Sequence, residues 1–279
     1  MQEHTVIGLI GFGNMGQAMA QGLLKSGSIG KGQICACARD QEKLERNCAA
    51  LGVRPMRNAS QVIAASDVVI LAVKPYQLED VLAPIREQLK EKLILSVAAG
   101  MPFASLESML APGCAHLSMI PNTPISTGNG VIVCEQTHSL SEEQLQLIND
   151  LFSPCAQLVF VHTDQLSVAG TLSGCGPAFV FLMIEALADA GVKYGLERAK
   201  AYALASAMVK GSGALQMESA QHPGALKDAV CSPKGTTIRG ICALEESGFR
   251  AALIRAIDAI EGRRFSGKQY KNNTQRHIY

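Results

Sequence analysis

Over the first 160 positions, short apolar runs alternate with amphipathic, charged stretches, and this alternation predicts strands and helices in turn. Residues 5–10 (TVIGLI) stop at Gly11, and an apolar helical pattern runs from Met15 to Leu24, which reads as strand, tight turn and helix. A second run covers 33–38 and precedes a charged helical pattern over 40–51; a third strand is expected around 52–55. The run DVVILAV at 67–73 is apolar nearly throughout, as a central parallel strand covered on both faces requires. Runs at 93–97 and 115–120 repeat the theme, with helices beginning near Pro75 and Pro102, where proline suits a first turn. Strands at 131–134 and 157–161 flank a helix after Ser141, whose Ser-Glu-Glu-Gln has the form of a capping box. The expected fold class is α/β: a Rossmann, doubly wound parallel sheet over 1–162.

After His162 the strand signals stop. Residues 166–262 are helical in pattern, with breaks at 174–177, 194–195, 222–224, 232–235 and 247–248. The segment 178–192 carries two charges among many large apolar residues, more than one face of an exposed helix tolerates, so it predicts burial against another subunit. Residues 163–279 are therefore expected to form an all-α dimerisation domain. The last twelve residues, from Lys268, are polar and predict a loose chain end.

Composition narrows the function. Lys and Arg number 25 against 24 Asp and Glu, a net charge of +1, which supplies no field to gather nucleic acid or an anionic membrane. Aromatics are 5% and Trp is absent, which disfavours a base-stacking surface. Nine cysteines without a CxxC pair suit neither a disulfide framework nor a zinc site, and six histidines show no ligand spacing, so no metal is expected. Reduced cytoplasm is the expected location. The apolar run at 6–12 is too short to span a bilayer.

The candidate chemistry is a dinucleotide site. Gly11-Phe12-Gly13-Asn14-Met15-Gly16 follows a strand and opens a helix, the context in which GxGxxG cradles a pyrophosphate on a helix N-terminus. About twenty residues on, Cys37-Ala38-Arg39-Asp40 puts an arginine where a 2′-phosphate would sit, favouring NADPH; were Asp40 at the strand tip, NADH would compete. Ala72-Val73-Lys74-Pro75, Ala98-Ala99-Gly100 and the Pro121-Asn122-Thr123-Pro124 turn fall at successive strand ends. Their small residues would let a nicotinamide approach, and the Asn122 amide offers both donor and acceptor. Farther on, Ser232-Pro233 reads as N-cap and first helical residue, and Gly235, Thr236 and Thr237 would bring amides and hydroxyls together as a small carboxylate site, or simply form a well-capped helix start. Cys175 lies among glycines that suggest close packing more than nucleophilic catalysis.

The motifs GLIGFGNMG, AVKP at 72–75, AAG at 98–100, PNTP at 121–124, SGCGPAFVF at 173–181 and HPGALKDAVCSPKGTTIRG at 222–240 together resemble those of the pyrroline-5-carboxylate reductase family over nearly the whole chain. The resemblance implies NAD(P)H-dependent reduction of a cyclic imino acid to proline by an obligate homodimer, often assembled into rings of dimers. It further implies that the substrate carboxylate sits on the backbone at 235–237 with Ser232 nearby, that the Thr237 hydroxyl lies near the ring nitrogen, that Arg39 binds phosphate and that Asn58 lies near the adenine ribose. Such a site needs no strong base, because the reaction asks only for a protonated imine and a nicotinamide at contact distance, which makes Thr237 a positioning or proton-relay group. The chain departs from the family pattern at Lys234, Ile120 and Ser118. A paralogue acting on a six-membered imino acid and a cofactor-sensing homologue without turnover are the alternatives. A β-hydroxyacid dehydrogenase is disfavoured, since 178–187 lacks the Lys and Asn that the resemblance to that family would require.

Overall fold

The computed structural model describes residues 5–265; the proposed loose end from Lys268 lies outside them. The chain divides into two compact units between Pro177 and Ala178.

The first unit is an eight-stranded sheet in the order β3-β2-β1-β4-β5-β6-β7-β8. The strands are β1 Ile7–Ile10, β2 Ile34–Cys37, β3 Arg54–Pro55, β4 Val68–Leu71, β5 Leu93–Ser96, β6 Ala115–Pro121, β7 Gly130–Glu135 and β8 Ala156–Val161. From β3 to β6 every neighbour pair is parallel, as expected. The last two strands correct the all-parallel expectation: β7 runs antiparallel to β6, and β8 parallel to β7. The reason is the short 3₁₀ connection Thr123–Thr127, which leaves no room for the crossover that a parallel partner needs.

Every residue of β1, β2, β4 and β5 is buried, which explains their uninterrupted apolar runs. Alternate side chains feed two cores. Ile7, Leu9, Ile34 and Ile70 join one, with α1 (Asn14–Ser26), α2 (Gln41–Leu51) and α6 (Glu142–Phe152). Ile10, Cys35, Val69 and Leu71 join the other, with α3 (Ala59–Ala64), α4 (Leu78–Leu82) and α5 (Phe103–Met109). The capping box at Ser141 is present, with Gln144 closing it.

The expected break at 174–177 is not one. From α7 (Leu166–Gly170) the helix continues through a π-type turn, Thr171–Cys175, into α8 (Gly176–Lys193). Pro177 lacks the N–H that would reach the Ser173 carbonyl, and Asn122 Nδ2 donates to that carbonyl instead at 3.1 Å. A glycine-proline cluster that reads as a stop is thus bridged by a side chain from a different element.

The described part of the second unit is helical: the rest of α8, then α9 (Arg198–Ser219), α10 (Pro223–Ala229), α11 (Thr236–Glu246) and α12 (Phe249–Phe265). Only Ala188 of α8 is buried, while Leu172, Phe181 and Leu182 are each more than 60% exposed. Isolated apolar side chains on a surface need no explanation, but a row of them on one long helix marks an interaction face.

Candidate active site

The strand register brings the nucleotide-site candidates to one edge of the sheet. Ile10 is level with Cys37 and Leu71, Leu71 with Ser96, and Ser96 with Ser118, so the loops that start at Gly11, Ala38, Ala72 and Val97 leave from the same carboxyl end. That edge is where open α/β sheets bind ligands. At its centre Gly11 has a φ of +99°, and a Cβ there would lie 2.6 Å from the Ala72 carbonyl oxygen. A Cβ on Gly16 would lie 2.6 Å from the Gly11 carbonyl oxygen. Beyond Gly13 there is open space, and Gly13 caps α1 without a side-chain bond or any acidic residue in the first turn. Free amides at a positive helix end, with room in front of them, fit a dinucleotide pyrophosphate.

At the β2 end, Ala38 and not Asp40 follows the strand directly. The strand stops at Cys37, and Asp40 is the N-cap of α2, its Oδ1 accepting from the Lys43 N–H at 2.9 Å. Its carboxylate is engaged in that cap. Arg39 is exposed and has no carboxylate partner among the described residues. Asn58 is exposed and caps α3, with its Oδ1 accepting from the Gln61 N–H at 3.0 Å.

Lys74 and Pro75 open the 3₁₀ turn after β4, while Ala99 and Gly100 are exposed after β5, with Ala98 buried beneath them. Asn122 is 6% exposed, and its amide serves the protein first. Its Oδ1 accepts from the Val131 N–H at 2.9 Å and its Nδ2 donates to Ser173, so it joins β7 to the helix after β8. Sequence reasoning missed this strut, and it also missed Glu135. That carboxylate, 1% exposed, accepts from the Phe103 N–H at 2.5 Å and from the Thr163 hydroxyl at 2.6 Å. It pins the start of α5, just after the 98–100 loop, to the first residue of the helical region. Neither role has a local sequence signal, because the decisive partners are distant: Ser173 lies 51 residues from Asn122, and Thr163 and Phe103 lie 28 and 32 residues from Glu135.

The substrate-loop candidates belong to the second unit. Ser232 is not the N-cap and Pro233 is not helical: α11 starts at Thr236 with Gly235 as its N-cap. The Gly235 N–H bonds the Ser232 carbonyl at 3.0 Å, closing a turn with Pro233 second and Lys234 third, and Lys234 has a φ of +60°. This is the pattern of a type II turn, whose third position favours glycine, and it explains why Ser-Pro here begins a turn and not a helix. Arg239 Nη2 donates to the Lys234 carbonyl at 3.3 Å and braces the turn. Ser232, Thr236 and Thr237 are exposed, and the first turn of α11 contains neither an acidic residue nor a side-chain cap. Unsatisfied amides flanked by two hydroxyls can hold a carboxylate.

Residues 163–265 match the model described as pyrroline-5-carboxylate reductase dimerisation, and residues 6–100 match NADP oxidoreductase, coenzyme F420-dependent. A pyrroline-5-carboxylate reductase of Treponema pallidum is 43% identical over 91% of this chain and 97% of its own length. The Escherichia coli enzyme of the same description is 36% identical over 90% and 94%. Among solved structures, Plasmodium falciparum pyrroline carboxylate reductase with NADP bound superposes at a TM-score of 0.83, with 29% identity, covering 93% of this chain and 97% of that one.

Proposed function

This chain belongs to the pyrroline-5-carboxylate reductase family, and on that premise we propose that it reduces 1-pyrroline-5-carboxylate to L-proline with NADPH, the final step of proline biosynthesis. The observation that carries the reading is the bare N-terminus of α11, which offers amides and hydroxyls but no acid or base. A substrate that brings its own carboxylate and an already polarised C=N bond needs anchoring and orientation more than proton chemistry from the protein.

When bound, the cofactor supplies the hydride that adds to the imine carbon; one proton at the ring nitrogen completes the amine. The residues of this chain divide the remaining work. Gly11, Gly13 and Gly16, with the amides of Asn14 and Met15, seat the pyrophosphate. The 72–75 and 98–100 loops border the nicotinamide side, Asn58 serves the ribose and Arg39 the 2′-phosphate. Asn122 supports the site by holding β7 and the helix in place. Gly235, Thr236 and Thr237 anchor the substrate carboxylate, and the Thr237 hydroxyl orients the ring nitrogen; Ser232 belongs to the turn that shapes this anchor. Lys234 places a cation beside it.

Purified protein should oxidise NADPH when given this imine, followed at the nicotinamide absorbance, and the relative kcat/KM on five- and six-membered imines identifies the ring accepted. NADPH binding without turnover on either ring would overturn the assignment and favour a cofactor sensor. Thr237→Ala should lower turnover by ~1–3 kcal/mol, the worth of one oriented hydrogen bond, with NADPH affinity unchanged. An unaltered rate would reduce this threonine to a helix start. Arg39→Ala should weaken NADPH about tenfold or more, and NADH little, in calorimetric titrations, because the lost guanidinium addresses only the 2′-phosphate. Equal losses for both would remove Arg39 from that role.

The protein is a homo-oligomer through its dimerisation domain. The stretch Thr163–Lys193 is long and apolar enough to cross a membrane by length and composition, yet it lies inside the matched dimerisation region, so we read its apolar surface as facing a second subunit. A soluble cytoplasmic enzyme assembling into rings of dimers is the form we propose. Light scattering separates a dimer from its multiples.

A further inference from the structure

We propose that Arg57 is a second ligand for the cofactor's 2′-phosphate, acting across the adenine end of the site from Arg39. The inference rests on the NADPH reading above and extends it to a residue on a neighbouring loop. Strands β2 and β3 are parallel neighbours, with Ala36 level with Pro55, so Arg39 and Arg57 leave the sheet within three residues of paired positions at the same carboxyl edge. One side chain ties the two loops together: Gln41 Nε2 donates to the Ala38 carbonyl at 2.8 Å and to the Arg57 carbonyl at 3.4 Å.

The backbone at Arg57 is held on every side while its guanidinium is free. The Met56 N–H extends the ladder to the Ala36 carbonyl at 2.8 Å, the Arg57 N–H donates to Gln61 Oε1 at 3.0 Å, and Asn58 caps the helix that follows. A rigid base with an unengaged head is the arrangement a binding residue requires, since little ordering remains to be done when the ligand arrives. Among the described residues neither Arg39 nor Arg57 has a carboxylate partner, although acidic groups are close in sequence. Asp40 accepts from the Lys43 N–H in the α2 cap and forms no ion pair with either arginine. Two free guanidinium groups on tethered loops repel each other until a dianion comes between them. A 2′-phosphate carries that charge, and each guanidinium can grip it through two N–H groups. NADH has no group there to repay the repulsion, so the pair discriminates against it as well as for NADPH.

The test is calorimetric titration of the full-length protein with 2′,5′-ADP and with 5′-ADP, repeated with NADP⁺ and NAD⁺, for wild type, Arg57→Gln, Arg39→Gln and the double variant. Arg57→Gln should weaken 2′,5′-ADP and NADP⁺ about tenfold, leave 5′-ADP and NAD⁺ within about twofold, and flatten the salt dependence of NADP⁺ binding. Arg57→Lys should recover part of the loss, since it restores charge without the fork. The double variant should differ from the product of the single effects, because the two groups share one ligand. Equal weakening of phosphorylated and unphosphorylated ligands, or no change at all, overturns the role of Arg57. If Arg39→Gln alone abolishes the discrimination, only this inference falls; if neither variant alters it, the 2′-phosphate site itself has been misplaced.

Discussion

Replacing Phe181 and Leu182 together with glutamate is expected to convert the oligomer to monomers, read as a drop in mass by light scattering at micromolar concentration. These side chains are 61% and 67% exposed on the single chain. Burying each against a partner would contribute ~1.5–3 kcal/mol, and two carboxylates in the same apolar contact would add an unpaired-charge penalty of about several kcal/mol. The dimerisation match over this region is the reason to expect the exposed row to form a subunit contact. The far-ultraviolet circular dichroism should retain its strand contribution, because the cores of the sheet lie entirely within the first unit. An oligomer of unchanged mass would move the interface to another face of the helical unit.

The second large effect belongs to Gly11→Ala. The new Cβ would meet the Ala72 carbonyl oxygen at 2.6 Å and its carbon at 2.7 Å, and both are backbone atoms that cannot swing aside. A left-handed φ of +99° adds strain for any side chain. The combined cost should exceed ~3 kcal/mol and lower the melting temperature by at least about 6 °C. NADPH binding should fall more than about tenfold, since the displaced loop carries the amides we propose for the pyrophosphate. Relief could come only from parting β1 and β4, which the Ala72 N–H to Ile10 carbonyl bond at 2.8 Å resists. A melting temperature within error of wild type would show that the turn is softer than its packing suggests.

The sheet was legible because buried parallel strands are apolar at every position, a signal that survives without knowledge of partners. The direction of β7 was not, since a strand reads alike in both senses and only the length of the preceding connection decides. Ser232-Pro233 was misread for a related reason: the pair suits both the first two residues of a helix and the first two of a turn. Gly235 decided between them, by offering its N–H back to Ser232 and then starting the helix itself. Asn122 was singled out from its place at a strand end, but its work as a strut depends on the carbonyl that Pro177 leaves unserved, 51 residues away from it. Glu135 falls one residue past the strand expected at 131–134, and nothing local marks the distant groups it binds. Local chemistry reveals what a residue can do; the partner that takes up the offer is a property of the fold.

The sulfur atoms of the nucleotide-binding half have a redox consequence. Six cysteines are buried there, and burial pushes the thiols of Cys37, Cys48 and Cys155 up to about 11 and that of Cys134 up to about 12. Cys35 and Cys114 shift the same way, for the same reason. At neutral pH the thiolate, the form that peroxides and electrophiles attack, is on the order of one part in ten thousand or less for the four with values. These side chains act as small hydrophobes that oxidative chemistry cannot readily address. Six sulfurs of this unit thus contribute to the sheet's packing and not to its reactivity.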